Sequence, residues 1–413
     1  MAKGNGGAPT VLVTDAGRGS AVAIIRSLGR KGYRVIAADA DPRSVGFRSR
    51  YASRAVLYPA PAASPDELCA RLLDIAKAEA VDLIIPVTDF VLQPLALARR
   101  SFEGVTRLAL PPDDALAVVT DKSKTLQLAR RLGVPVPETR VVHTAREAVT
   151  QAEALGWPIV LKPLASKRRL ASGATESFTV SYAGSSAELA AAMTRLEGRC
   201  PVLLQQYLRG TGVGIEMLLS GGRPLAAFAH KRLHEVPLTG GVSSLRESVS
   251  LDATLYDHAL RLLGELRWTG LAMVEFKVGA TRTELMEING RVWGSLPLAV
   301  ASGMDFPALL AQLYLAGEAA ITPRLGAAYR VGVRCRDLRR DLIWITSVLA
   351  HRQPYPYLST PTRTEALLAC LGLFNLRSKQ DLLTLDDPFP GLWELPAIFR
   401  KFWSQARAAR AWA

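Results

Sequence analysis

Cysteine is scarce in this 413-residue chain: Cys69, Cys200, Cys335 and Cys370 lie far apart, with no CxxC spacing and no Cys/His cluster. That scatter argues against a disulfide framework and a structural zinc, and it fits a reducing compartment. Long apolar runs are also missing. The longest in the C-terminal part, Leu342 to Ala350, is too short to span a bilayer, and the polar, Gly-rich stretch Met1 to Thr10 offers no signal peptide. A cytoplasmic location is the expectation. Acidic residues are outnumbered, 37 Asp and Glu against 51 Lys and Arg, giving a net charge of +14. Residues 321–413 hold 14 Lys/Arg against 7 Asp/Glu, so about a quarter of the chain carries half the excess. No nucleic-acid motif accompanies this charge, so a solvated basic surface is the expectation, with no nucleic-acid partner. Nearly half the residues are apolar and Gly and Pro are ordinary in number, which describes a globular α/β chain of two or three domains.

The first domain, residues 1–113, alternates strand and helix. Val11-Leu12-Val13-Thr14, a glycine turn at Asp15 to Ser20, a helix from Ala21 to Lys31 and a strand Arg34 to Asp39 make a βαβ unit. Further strands are predicted at Ala55 to Tyr58, Leu83 to Pro86 and Arg107 to Leu110, with a helix over Pro65 to Glu79. The expected product is an open, mostly parallel sheet. Gly17, Gly19 and Asp39 form part of a dinucleotide fingerprint, but Val22 stands where its third glycine belongs. An NAD-dependent oxidoreductase is therefore one alternative. Thr88 and Asp89 follow a strand's carboxyl end, where ligands collect, and equally suit a helix N-cap.

Leu285-Met286-Glu287-Ile288-Asn289 reads as a strand, so Glu287 and Asn289 share one face while Met286 and Ile288 point into a core. Met273 to Val278 reads as its partner. If the hairpin closes around Thr281, Glu275 faces Glu287. Two opposed carboxylates repel, and a cation between them would explain their retention. Two carboxylates and an amide suit Mg²⁺ better than Zn²⁺; Mn²⁺ is a second occupant for the same set. The competing reading is a pair of solvated acids on an exposed hairpin face.

The order Glu275, Glu287-x-Asn289-x-Arg291 resembles the metal-binding end of ATP-grasp ligases. Its continuation through Trp293-Gly294-Ser295 and Met304-Asp305-Phe306-Pro307 is similar to the carbamoyl-phosphate-synthetase-like branch of ATP-dependent carboxylate-amine ligases. The resemblance spans roughly residues 10 to 318. It implies a Rossmann-like domain at 1–113, an N-terminal ATP-grasp subdomain at 114–208, a C-terminal one at 209–318, and a basic, mostly helical extension at 319–413 that resembles nothing nameable. Asp121-Lys122, a helix, then Gly133-Val-Pro-x-Pro-x-Thr139 looks like the family's entry, which gives Lys122 a phosphate. Val160-Leu161-Lys162-Pro163 resembles its second ATP lysine; physically, a lysine ending an apolar strand needs a counter-charge that a phosphate would supply.

Ala165 to Ser177 would be the phosphate loop, here with a single glycine, Gly173, and with Lys167, Arg168 and Arg169. The adenine hinge falls on Gln205, Gln206, Tyr207 and Leu208, and Glu216 is a candidate acid near the ribose. Lys231, Arg232 and Arg246 could surround an anionic acyl group; singly, each reads equally well as an exposed basic residue. His230 has no sequence partner for a nucleophilic triad.

The resemblance implies ATP and Mg²⁺ held by Glu275, Glu287 and Asn289, with Arg291, Arg246 and Lys231 as catalytic residues. Carboxylate and amine substrates, carrier-linked ones among them, and a homodimer complete the expectation, with a non-catalytic ATP-binding module as a further alternative. The predicted helices at Asp341 to Ala350 and Thr364 to Leu373 are followed by one over Leu395 to Ala408. That helix gathers Leu395, Ile398, Phe399, Phe402 and Trp403 on one face, for docking on the core or peripheral membrane contact.

Overall fold

The structure is a computed structural model and describes residues 7–164, 167–169, 175–326, 328–350, 355–375, 377–396 and 398, with the backbone alone at 167–169 and 175–177. Five short strands, β1 (Thr10–Val13), β2 (Arg34–Asp39), β3 (Arg54–Leu57), β4 (Leu83–Ile85) and β5 (Arg107–Leu108), form a parallel sheet in the order β3-β2-β1-β4-β5. Helices α1 (Gly19–Arg30), α2 (Pro65–Ala78) and α3 (Asp89–Leu97) cross over between strands. Because β1 and β4 are neighbours, the turns after them, at Asp15 and Thr88, open at the same switch point.

Helices α4 (Asp113–Val119) and α5 (Lys122–Arg131) lead into a second unit. Asp121 caps α5, accepting from the Ser123 and Lys124 amides at 2.9 and 3.2 Å, which fixes Lys122 at the first turn. This unit has β6 (Thr139–Val142), α6 (Ala145–Ala152), β7 (Ile159–Pro163), a hairpin of β8 (Lys167–Arg169) and β9 (Thr175–Ser177), β10 (Ser181–Ala183), α7 (Ser186–Thr194) and β11 (Val202–Gln206). Its sheet runs β10-β7-β11-β6. One face packs Ile159, Leu161, Val202 and Leu204 against the two helices; the other carries Val160, Lys162, Leu203 and Gln205.

The third unit is a seven-stranded sheet. It comprises β12 (Thr211–Ser220), β13 (Arg223–Val236), β14 (Val242–Ser248), β15 (Gly270–Val278), β16 (Thr283–Asn289), β17 (Arg334–Arg336) and β18 (Lys379–Gln380), in the order β16-β15-β12-β13-β14-β17-β18. Helix α8 (Ala253–Glu265) covers one face, where Ile215, Met217 and Leu219 meet Leu255, Ala259 and Leu262. Against the opposite face lie α9 (Leu296–Ser302) and α10 (Phe306–Ala316), with α1 packed on them, and Leu218, Phe228 and Met273 meet Trp293 and Phe306. Among the described residues no single helix is long and apolar enough to cross a membrane.

Residues after 318 are helical in α11 (Leu338–Leu349) and α12 (Arg363–Gly372), close to the predicted spans. They also supply β17 and β18, so this part of the chain widens the central sheet instead of standing apart. It then reaches back to the first domain. The buried Arg26 of α1 donates to Asp387 Oδ2 at 2.8 Å, to Asp381 O at 3.0 Å and to the Leu382 and Asp387 carbonyls at 2.6 Å. Of the helix predicted over Leu395 to Ala408, Leu395, Pro396 and Ile398 are helical, in a stretch that already begins at residue 389; Phe399, Phe402 and Trp403 lie outside the described residues.

Candidate active site

The hairpin of β15 and β16 forms as expected, with Glu275 directly opposite Glu287. One detail differs. The register slips between Glu275 and Phe276, so Met286 is a bulge residue, partly exposed, and Leu285 takes the core position expected of it. The bulge aims Glu287 across at Glu275. Asn289 joins the pair, its Nδ2 donating to Glu275 Oε1 and Glu287 Oε1 at 3.1 Å each.

Strand alternation extends this corner into a polar row. Glu275 sits opposite Gly214 of β12, and Gly214 opposite His230 of β13. A methyl at Gly212 would come within 2.9 Å of Arg232 Cδ, and one at Gly214 within 2.5 Å of the His230 ring. The two glycines therefore leave a trough across β12. Arg232 lies in it and ion-pairs with Glu275 on the far side, while Nη1 holds Glu235 at 3.0 Å and the Gly241 carbonyl at 2.9 Å. Burial pushes the Glu275 carboxyl up, Arg232 opposes that, and the Glu287 charge adds to it. Added positive charge at this corner would relieve the conflict.

Lys162 faces the same corner from β7. Burial pulls its ammonium down to about 8 despite the charges of Glu287 and Glu275, with Lys122 and Lys277 repelling it. Lys122 is beside it, Nζ at 3.4 Å from Pro163 O. Lys162 thus lies within electrostatic reach of Lys122 and of both carboxylates. Gln205 shares the Lys162 face; its Nε2 donates to Thr139 Oγ1 at 3.0 Å, while the buried Oε1 has no partner. A buried, orphaned acceptor suits a ligand that brings a hydrogen-bond donor. Tyr207 and Leu208 lie on the connection from β11 to β12, where Gly210 is required because a Cβ would meet Val278 O at 2.3 Å. Gly173 lies outside the described residues, as do the side chains of Lys167, Arg168 and Arg169.

Arg291 points toward the first domain, Nε to Asp89 Oδ2 at 2.8 Å. Thr88 does not cap α3 through its hydroxyl, which goes instead to Asp15 Oδ1 at 2.9 Å.

Three expectations are corrected. Lys231 lies on the opposite face of β13 from Arg232 and pairs with Glu247 at 2.9 Å, so Arg232 is the basic residue directed at the carboxylates. Arg246 is 1% exposed and bonds Asp381 at 2.5 and 2.6 Å; the chain itself supplies its counter-charge. Glu216 is fully buried, 2.9 Å from His230 Nδ1 and accepting from Ser295 Oγ at 3.1 Å, which leaves it no access to a ribose. The alternation Gly212-x-Gly214 was a usable signal for Arg232, since a trough must have something lying in it.

The dinucleotide alternative meets a physical obstacle. Asp39 Oδ2 already accepts from Gly17 N at 2.7 Å and Ser44 Oγ at 2.5 Å, and Oδ1 from Asp41 N at 3.0 Å. At the first turn of α1, where a pyrophosphate would bind, Asp381 lies against Gly19. A cavity of about 1340 Å³ opens beside this turn, between Arg18, Asp39, Arg48 and Asp381, Trp393, Glu394, away from the paired carboxylates.

For a divalent cation the fit is good in kind: oxygen donors only, held by a rigid hairpin. Among the described residues no three His, Cys, Asp or Glu side chains converge, so two carboxylates and the Asn289 amide would leave further positions to phosphate and water.

Residues 199–333 match the model of a family described as ATP-grasp in the biosynthetic pathway with Ter operon. The carbamoyl phosphate synthase large chain of Archaeoglobus fulgidus is 23% identical over 231 residues, 54% of this chain and 21% of that one. The chain thus spans about a fifth of that relative's length. N5-carboxyaminoimidazole synthetase from Staphylococcus aureus superposes with a TM-score of 0.61 at 13% identity, covering 84% of this chain and 87% of that one. The biotin carboxylase domain dimer of Hydrogenobacter thermophilus 2-oxoglutarate carboxylase, solved with MgADP and bicarbonate, gives 0.59 at 18% identity, covering 79% and 73%.

Proposed function

We propose, from the premise that this chain is an ATP-grasp protein, that it is an ADP-forming ligase joining a carboxylate to an amine. The observation that carries the reading is the register-matched pair Glu275/Glu287, bridged by Asn289 and faced across the cleft by Lys162. Lys122 and Lys162 would hold the nucleotide phosphates, and the unpartnered Gln205 Oε1 with the Tyr207–Leu208 connection would receive the base. Glu275, Glu287 and Asn289 would hold Mg²⁺, or Mn²⁺, which when bound neutralises the β- and γ-phosphates.

The γ-phosphoryl group would pass from ATP to a carboxylate oxygen: the bond to the β,γ-bridging oxygen breaks, the new O–P bond forms, and ADP leaves. Arg232 and Arg291 would face the charge that moves. An amine lone pair then attacks the acyl carbon, forming C–N and expelling phosphate as the amine loses its proton. Dividing the condensation in this way needs no protein nucleophile. Small-molecule substrates, carrier-linked acids among them, a homodimer and a cytoplasmic location belong to the same proposal; the four cysteines, all free, are compatible with it.

The test is ADP and phosphate release with ATP and Mg²⁺ against a pooled set of carboxylic acids and amines. Acid-dependent release that Glu287→Gln lowers by about 10²–10³-fold is expected. Turnover by the variant near the wild-type rate would overturn the metal assignment. Tight ATP binding without acid-dependent release would favour the non-catalytic module.

A further inference from the structure

The edge strand β10 of the small four-stranded sheet touches two elements outside its own unit. The Tyr182 hydroxyl donates to Thr239 O, in the loop joining β13 and β14, at 2.6 Å. Two tyrosines between α11 and α12 complete the contact. Tyr355 meets the Tyr182 ring edge-on, centroids 5.2 Å apart. Tyr357 donates from its hydroxyl to Glu188 Oε2 at 2.9 Å, and the same carboxylate oxygen accepts from Gly184 N at 2.9 Å. The Tyr357 ring lies so close over Gly184 that a methyl there would come within 2.5 Å.

The other end of this contact is anchored on the central sheet. Trp344 of α11 stacks on His234 of β13, 3.6 Å between centroids and 5° between planes. His234 Nδ1 lies 2.7 Å from Asp341, which also accepts from Ser244 at 3.0 Å and pairs with Arg336 of β17. Trp344, Ile345 and Val348 pack with Ala366 and Ala369 of α12. The pair α11 and α12 is therefore a bracket, fixed to the sheet that carries Glu275 and Glu287 and gripping the unit that carries Lys162.

We infer that Tyr355 and Tyr357 are positioning residues, which set the angle of the small sheet over the cleft and so keep Lys162 facing the paired carboxylates. The inference rests on the ligase reading for its consequence in ATP binding, and on geometry alone for the clasp.

The test is performed on the full chain. Dyes at Glu153→Cys on the end of α6 and Thr254→Cys on α8, with Cys69 and Cys370 changed to serine, report the inter-unit distance by single-molecule energy transfer without nucleotide. The double variant Tyr355→Ala/Tyr357→Ala should broaden and lengthen that distance. Gly184→Ala, which drives a methyl into the ring, should do the same alone and nothing further in a Tyr357→Ala background. Mg-ATP affinity should weaken about fivefold with kcat changed less than about twofold, and Tyr357→Phe, which keeps the ring, should lose only part of this. An unchanged distance in the double variant, or a Gly184→Ala effect that persists undiminished without the Tyr357 ring, overturns the clasp. Tight ATP binding without acid-dependent ADP release by the wild-type chain would instead sink the ligase reading and leave the distance result standing.

Discussion

The two ends of the polar row on the central sheet differ in how their charges are met. At the β14–β17 end, Arg246 and Asp381 neutralise each other in full burial, with Cys335 Sγ donating to Asp381 at 3.1 Å. At the β15–β16 end, Glu275 and Glu287 share the Asn289 amide, only Glu275 pairs with Arg232, and Glu275 stays raised in spite of it. A charge that the chain balances for itself is structure. One left in deficit is where a fold holds room for something else.

The contrast breaks most sharply if function and stability separate. Glu287→Gln should cost turnover as above while leaving the melting temperature unchanged or higher, because it removes repulsion. Arg246→Met, by contrast, strands a buried carboxylate and should cost about 3–5 kcal/mol in denaturant unfolding. Equal losses of stability in both variants would erase the distinction.

Acidity sharpens it next. Lys162, at about 8 in the free protein, should rise when phosphate binds. ATP affinity should then be nearly flat below about pH 7 and decline above about pH 8, toward tenfold per unit. For folding the sign is reversed. The unfolded lysine holds its proton more tightly, so the free protein gains stability between pH 8 and about 10.4. Lys162→Gln should flatten both profiles, measured by titration calorimetry and by denaturant melts.

The smallest effect compares two neighbours on β13. Arg232→Ala should weaken turnover by at least tenfold or so, through loss of a charge facing the phosphoryl group. Lys231→Ala, partly exposed and paired with Glu247, should shift stability by under about 1 kcal/mol and leave kcat/KM alone. A larger effect at Lys231 would mean that the other face of the strand also serves the reaction.

How far the sequence reached follows the same division. The opposition of Glu275 and Glu287 was legible because a hairpin's parity is local, counted over a dozen residues; the bulge at Met286 was not, since it answers to packing beneath the strand. The alternating strands and glycine turn of the first domain could be read from periodicity. The neutralisation of Arg246 could not, because Asp381 lies 135 positions away and no local pattern ties them. Lys231 and Arg232 are adjacent, and only the trough at Gly212 and Gly214 decides which of them faces the carboxylates.

The bonds of Arg26 have a further consequence during synthesis. Its carboxylate partner, Asp387, lies 361 positions downstream. The last strand of the first domain ends at Leu108, so at about 5–20 residues per second the domain can pair its strands roughly 15–55 s before that partner exists. Through that interval α1 must present an unmatched guanidinium, or wait to dock. The first domain's final packing is thus deferred until residues 381–387 have been made, which makes this cation a timer on the completion of the fold.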